Sequence, residues 1–276
     1  AVLMMYSLST LLLLAVFGVP KLKTIPKFYL LSAAALFLVY EICFAYAVAL
    51  AQTAQQAIEI SLVNYLWPSM TIAMLILLHE LKFHSLVVVG LSISLAGIFY
   101  IQTGNGDIHL ATVIHNIQAN PTSYILAFIG ASLWSLYCVF TKKYSQGHNP
   151  IVFFFAMVSV VLWSKTLLLD HEQLPQLLNI DLNIMLYMLL VSVVTGLGYA
   201  AWNIGINQGN IAMLVALSYF SPIFSSIISM WVLNTSLSHT FWIGTMMVTL
   251  GSFICWLSTN WNEIRDRLFP GKLYKT

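Results

Sequence analysis

The sequence predicts an all-α integral membrane protein made of two inverted five-helix repeats, ten helices in all, of which this chain carries nine. Three observations predict it: too few charges to solvate a surface, nine apolar runs of spanning length, and an internal register of 154 residues. The 276 residues are 60% hydrophobic and 7% charged, with a mean hydropathy of +0.87. Water-soluble domains carry roughly 25% charged residues. A chain this poor in charge cannot cover itself with solvated groups, so it belongs in lipid.

The apolar runs fall at 1–19, 28–50, 57–78, 85–102, 121–141, 149–169, 183–206, 211–233 and 240–258. Each is near the roughly 20 residues that a helix needs to cross about 30 Å of hydrocarbon. Short polar stretches separate them, among them PKLKTIPK, AQTAQQ, HELKFH, TKKYSQGHNP and NQGN. A transmembrane barrel would alternate over about ten residues per strand, and these runs do not alternate.

Lysine and arginine set the orientation, because they collect on the cytoplasmic side. Lys21, Lys23, Lys27, Lys82, Lys142, Lys143, Arg265, Arg267, Lys272 and Lys275 all fall on one face if the nine runs cross in turn, ten of the eleven basic residues. The opposite loops carry Asp107, Asp170, Glu172 and Asp181. The C-terminus is thereby expected in the cytoplasm and Ala1 on the outer side.

The repeat appears when the sequence is shifted by 154 residues. Pro68 then meets Pro222, Tyr65 meets Tyr219, Gly90 meets Gly244 and Gly97 meets Gly251. Thr71 meets Ser225 and Gln56 meets Asn210 in the same register. A fixed-period coincidence of this kind marks a structural repeat. It pairs runs one to four with runs six to nine and leaves 121–141 without a partner, which is expected before Ala1. The expected divisions are a first repeat at 1–102 lacking its first helix, an extracytoplasmic linker at 103–120, a second repeat at 121–259 and a cytoplasmic tail at 260–276. An odd number of helices per repeat inverts one half relative to the other. Inverted repeats with interrupted helices at matching positions point to a secondary transporter with its substrate near the midplane. Pro68 and Pro222 are the expected interruptions, either bending helices around a cavity or kinking them for packing.

Several polar and aromatic residues are placed to line such a cavity. Ile60, Asn64, Trp67 and Thr71 share a helical face by spacing, as do Thr195, Tyr199, Trp202 and Asn203. Tyr65, Ser218, Tyr219, Ser221 and Ser225 flank the two prolines, and Trp134, Tyr137 and Cys138 lie on the unpaired run. An asparagine at membrane depth must face protein or a cavity, which singles out Asn64 and Asn203. The deep indoles Trp67, Trp134 and Trp202 either stack on a flat substrate or fill the bundle core. Trp242, Trp256 and Trp261 read as interfacial anchors.

Three ionisable residues lie inside spans. Glu41 sits mid-run, where a carboxyl must be protonated or paired. Glu59 and Lys165 lie at similar depth near the outer end, either as a gate or as a site for a zwitterion, although Lys165 can also snorkel to the interface. The seven histidines fall in or beside loops, and Cys43, Cys138 and Cys255 are unrelated in spacing, so no metal, cofactor or disulfide is expected. GNGD at 104–107 lies in an outer loop with no second aspartate in a span, and no HExxH or Ser-Lys pair occurs in the spans. An intramembrane enzyme is therefore not expected. NTS at 234–236 is a glycosylation sequon only in a eukaryotic source.

YEIC at 40–43, QAIE at 56–59, NYLWPS at 64–69, SYILAFIGA at 123–131, YAAWN at 199–203 and SYF at 218–220, set in this repeat, resemble the drug/metabolite transporter superfamily with its EamA-type repeats. Within it they are most similar to the bacterial family that exports aromatic amino acids. The resemblance implies a basket-shaped ten-helix fold in the bacterial inner membrane, with export by alternating access through a central cavity. On this reading Trp67, Trp134, Tyr199, Trp202 and Tyr219 would stack on the substrate ring, and Tyr65, Tyr137 and Ser218 are further candidates for binding it. Asn64 and Asn203 would bind the amino or carboxylate group, and Glu41 and Glu59 would recognise the ammonium or couple a proton. Lys165 departs from the family pattern. The alternative is a broader drug or metabolite exporter of the same fold. Partners are limited to a small aromatic substrate and the lipid bilayer, with no nucleic acid, and a monomer is compatible with the sequence.

Overall fold

The computed structural model describes residues 2–102, 110–169, 181–221, 223–224, 227–228 and 239–268. Among them the chain is helical, with short turns and loops between helices and no strand. The first helix, α1 (Val2–Phe17), stops where Gly18 turns to a left-handed φ of 71° and its N–H returns to the Leu14 carbonyl at 2.9 Å. Glycine adopts that conformation without a Cβ penalty. A single 3-10 turn, Leu22–Thr24, carries Lys23 and leads through Pro26 into α2 (Lys27–Ala49).

The expected run 57–78 is two helices rather than one. Thr53 caps α3 (Ala54–Asn64) by accepting from the Gln56 N–H at 3.0 Å. After a turn at Tyr65–Leu66, α4 (Trp67–Leu77) begins with Pro68 in its first two positions. The proline does not kink an intact helix. It sits where its missing N–H removes no helical hydrogen bond, so the helix restarts there. The left-handed His79 (φ 58°) follows.

Next come α5 (Ser85–Gln102), α6 (Leu110–Ala119), α7 (Pro121–Tyr144) and α8 (Ile151–Leu169). Asp181 caps α9 (Leu182–Gln208), and Asn210 caps α10 (Ile211–Ser218) by accepting from Met213 N–H at 3.1 Å. The last helix, α11 (His239–Leu268), runs on past the expected end at 258 and takes in Arg265 and Arg267. α6 falls inside the expected linker, whereas residues 103–109 and 170–180 lie outside the described residues.

The helices group into two compact units. One comprises residues 1–42 and 140–209; the other comprises 43–139 and 210–276. Each unit draws repeat-related helices from both halves of the chain. In the first, α1 packs against α8 and α9. Ser9 Oγ donates to the Ser192 carbonyl at 2.8 Å, Trp163 Nε1 donates to Ser7 Oγ at 3.0 Å, and Gly196 presents its bare Cα beside Ser9. Ala201, further along the same helix as Gly196, is exposed.

In the second unit α5 and α11 cross on their glycines. A Cβ built on Gly90 would lie 2.7 Å from the Gly251 carbonyl oxygen, and one on Gly97 would lie 2.7 Å from that of Gly244. As position rises on one helix it falls on the other, so the crossing is antiparallel. The pairs are reciprocal in the 154-residue register, because Gly90 corresponds to Gly244 and Gly97 to Gly251. Ser94, whose Oγ donates to the Val248 carbonyl at 3.4 Å, faces its own repeat mate. A contact in which i meets j and j meets i is the signature of a two-fold relation.

Among the described residues four helices, α2, α7, α8 and α9, are long and apolar enough to cross a membrane, and α1, α4, α5 and α11 contain shorter apolar stretches. Between Ile184 and Leu197 the exposed side chains of α9 are themselves apolar, including Leu186, Tyr187, Leu190 and Val194. Water would not tolerate such a continuous face, whereas lipid requires it.

Candidate functional site

In the second unit the helix break organises an aromatic array. Trp67 opens α4, and its half-buried ring meets Trp134 of α7 edge-on, with centroids 6.2 Å apart and planes at 88°. Trp134 in turn stacks on Tyr137, three residues along α7, at 5.0 Å and 23°. Offset and edge-to-face pairs of this kind are worth about 0.5–1.5 kcal/mol each beyond the area they bury. The array is fixed through the backbone: the Trp67 carbonyl accepts from Thr71 Oγ1 at 2.8 Å and from Ser135 Oγ at 2.7 Å.

Asn64, the last residue of α3, lies just before the break. Its Oδ1 is buried and has no hydrogen-bond partner among the described residues. Pro68 also has no N–H to offer the Asn64 carbonyl four residues back. Most buried polar atoms are satisfied, so an orphaned acceptor beside an interrupted helix marks a place where a ligand can supply the donor.

The break is duplicated. Leu66 N–H bonds Val63 O at 3.1 Å and Met70 N–H bonds Leu66 O at 3.0 Å. At the same places 154 residues on, Phe220 N–H bonds Leu217 O at 3.1 Å and Phe224 N–H bonds Phe220 O at 3.0 Å. Tyr219 is buried in a cluster with Ile98, Ile223, Phe241 and Val248, against which Tyr65 packs. The Tyr219 hydroxyl is hydrogen-bonded to Ser69 Oγ. Ser218 Oγ donates to its own helix at the Val215 carbonyl, 2.6 Å away. Pro222 and Ser225, and the side chain of Glu59, lie outside the described residues. Trp242 and Trp261 are exposed, and the side chain of Trp256 lies outside the described residues.

In the first unit the mid-span carboxyl has partners. Tyr199 of α9 donates its hydroxyl to Glu41 Oε1 of α2 at 2.7 Å, and the Tyr6 phenol of α1 lies beside the same carboxyl. The Tyr199 ring stands edge-on to Phe37 and Phe155, at 5.4 Å from each. Asn203 is fully buried one turn on, and its Nδ2 donates to the Tyr199 carbonyl at 3.0 Å. Trp202, beside it, is half-buried, as is Lys165 on α8. The centre is thus a carboxyl held by phenols inside an aromatic collar, suited to carry a proton or to receive a cation. Among the described residues no group of three or more His, Cys, Asp or Glu could hold a metal ion.

The sequence reading named Glu41, Tyr199, Trp67 and Trp134, and of the residues that hold them only Thr71. Tyr6, Phe37 and Phe155 form the collar, and Ser69, Thr71 and Ser135 pin the break. Thr71 was visible through its helical spacing from Trp67. The collar had no comparable signal, since its members come from three separate runs.

Comparison with known proteins gives concordant findings. A family model, the EamA-like transporter family, matches residues 121–257. The aromatic amino acid exporter YddG of Escherichia coli (strain K12) is 41% identical over 254 residues, covering 92% of this chain and 85% of its own. The aromatic amino acid exporter YddG of Salmonella typhimurium (strain 14028s / SGSC 2262) is 40% identical over 257 residues, covering 93% of this chain and 86% of its own. A crystal structure of another protein aligns with a TM-score of 0.69 over 94% of this chain and 86% of its own, at 18% identity, a likeness of fold alone.

Proposed function

This chain belongs to the EamA-like transporter family, and we propose that it exports aromatic amino acids and related aromatic compounds by alternating access. It is a multi-pass membrane protein, and its relatives are exporters rather than enzymes. The observation that carries the substrate class is the 41% identity to an aromatic amino acid exporter over 92% of the chain. The array of Trp67, Trp134 and Tyr137 supports it chemically, because stacked and edge-on indoles and phenols receive a flat ring with little loss of side-chain freedom.

The side chains divide by chemistry. Trp67, with Trp134, Tyr137 and Tyr65 behind it, stacks on the ring of the substrate. Asn64 Oδ1, the orphaned acceptor, accepts a hydrogen bond from the α-ammonium, and its amide N–H groups donate to the carboxylate. Tyr199, Trp202 and Asn203, with Tyr219 and Ser218, complete the recognition residues. Glu41, held by Tyr199, receives the ammonium or carries the coupling proton. Glu59 and Lys165 are each assigned to gating. The interrupted helices at Pro68 and Pro222 supply the backbone that rearranges. The protein works in the bacterial inner membrane as a single copy, with its basic C-terminal segment in the cytoplasm.

Substituting Trp67→Ala or Asn64→Ala tests the assignment. Each variant is expected to reach the membrane and elute as a folded species while efflux of phenylalanine falls at least tenfold. Undiminished efflux from both would remove the array and Asn64 from the binding site. An imposed pH gradient separates the roles of Glu41. Acceleration that Glu41→Gln abolishes assigns it coupling, whereas indifference to the gradient with a raised KM in Glu41→Gln assigns it recognition.

A further inference from the structure

We propose that α6 is a membrane-surface helix, seated in the lipid leaflet at the end of α7 opposite Lys142 and Lys143, and fastened to the start of α3 by a buried amide clamp. Its ten residues extend about 15 Å, half of what a span requires. In sequence, Leu110, Val113, Ile114 and Ile117 recur at the i, i+3, i+4, i+7 spacing of one helical face. Ile114 is 50% and Ile117 is 40% exposed, so the protein leaves these two members of the face uncovered. His115 and Gln118 are exposed as well, and they lie off the apolar stripe.

The clamp holds the helix at its C-terminal end. Asn120 Nδ2 donates to the Leu50 carbonyl at 2.7 Å and to Gln56 Oε1 at 3.1 Å. Gln56 Nε2 donates to the Asn116 carbonyl of α6 at 3.3 Å, and Gln56 Oε1 also accepts from the Gln52 N–H at 2.7 Å. Both amide side chains are buried, at 3% exposure for Gln56 and 9% for Asn120. A buried, mutually satisfied amide network fixes geometry. α6 therefore cannot swing freely.

The occupant of the exposed face is the bilayer surface, on three grounds. Only Asn120 separates α6 from α7, a candidate span whose Ile125, Phe128 and Ile129 are exposed apolar residues. An apolar helix face tethered at that boundary lies within reach of the acyl chains, where such helices sink about 5–10 Å into the headgroup region. Residues 110–119 contain no charged side chain, so attraction to an acidic or basic partner has no source. A ten-residue helix also falls well short of the roughly 800 Å² per partner that a stable dimer buries. Through Gln56 the lipid-seated helix becomes an anchor for α3, which ends at Asn64. The inference does not depend on the transported substrate.

Spin labels test it. Single cysteines replace Ile114, His115, Ile117 or Gln118 in the full chain; the native Cys43, Cys138 and Cys255 are buried and serve as the unlabelled background. Each protein is reconstituted in phosphatidylcholine vesicles, and collisions with oxygen are compared with collisions with a water-soluble nickel chelate. Labels at 114 and 117 are expected to favour oxygen severalfold, and those at 115 and 118 to favour the chelate. Equal chelate access at all four positions would put α6 in water. Shielding of 114 and 117 from both reagents would mean that protein, a second copy included, covers the face. A contrast that appears only when phosphatidylglycerol is added would mean headgroup charge rather than apolar burial. Any of these overturns the proposal. Asn120→Ala, checked for folding by size exclusion, should shrink the contrast at 117, and an unchanged contrast would refute the clamp.

Discussion

Replacing Gly97 with alanine should separate α5 from α11, and the effect can be worked from the crossing. The new methyl would stand 2.7 Å from the Gly244 carbonyl oxygen and 2.9 Å from both Met247 Cβ and Val248 Cγ2. Two of these atoms are backbone or directly attached to it, so no rotamer change relieves them, and the helices must part. Overpacking of this kind costs about 1–3 kcal/mol. Against it stands the gain of up to about 1 kcal/mol from exchanging glycine for alanine in a helix. Gly198 supplies the internal control. It lies in α9 with nothing within 4 Å of its built Cβ, so Gly198→Ala should collect the helical gain alone. The two variants should therefore differ by about 1–3 kcal/mol. At about 2–4 °C per kcal/mol for a protein of this size, Gly97→Ala should melt several degrees below Gly198→Ala in a detergent unfolding scan run at one fixed rate. Gly90→Ala should behave like Gly97→Ala, because its methyl would meet the Gly251 carbonyl in the reciprocal contact. If Gly97→Ala melted with or above Gly198→Ala, the backbone-to-backbone crossing would be wrong.

Tyr199→Phe keeps the ring between Phe37 and Phe155 but removes the hydroxyl that Glu41 accepts, so it should cost about 1–3 kcal/mol of stability. A Glu41→Gln/Tyr199→Phe double-mutant cycle, read by thermal unfolding, should show coupling of at least about 0.5 kcal/mol; additive losses would mean the pair does not interact. Pro68→Ala returns an N–H opposite the Asn64 carbonyl and lets α3 and α4 fuse. It should raise thermal stability while lowering efflux, the trade expected when an interrupted helix serves function, and unchanged efflux would make the break mere packing. Ser135→Ala leaves the Trp67 carbonyl with Thr71 as its remaining side-chain donor. It should cost about 0.5–1.5 kcal/mol and broaden the selectivity among phenylalanine, tyrosine and tryptophan in a competition assay.

The spans were legible because lipid imposes a crude rule, and apolar length satisfies it without knowledge of neighbours. α2 was expected at 28–50 and is found at Lys27–Ala49. The break was legible in kind but not in detail. Pro68 announced an interruption, and the structure places the turn at Tyr65–Leu66, upstream of the proline, because proline is tolerated inside a first helical turn. The 154-residue register came from four matched residues, and the reciprocal glycine contacts answer to the same register. Pairings across the chain were out of reach. Glu41 and Tyr199 are 158 residues apart, and nothing in either run names the other. Tyr219 was singled out by its place beside Pro222, but neither its apolar cluster nor its hydroxyl bond to Ser69 could be read from the sequence. Helical spacing gives a face; only packing tells which neighbour that face meets. The grouping of helices into units that mix the two halves was hidden for the same reason.

The central claim is tested most directly by loading proteoliposomes containing the purified protein with radiolabelled phenylalanine and following its release. Efflux should exceed that from protein-free liposomes, saturate with internal concentration, and be competed by internal tyrosine and tryptophan but not by lysine. Release no faster than from protein-free liposomes, or release that aromatic competitors leave untouched, would contradict the assignment of this transporter to aromatic amino acids.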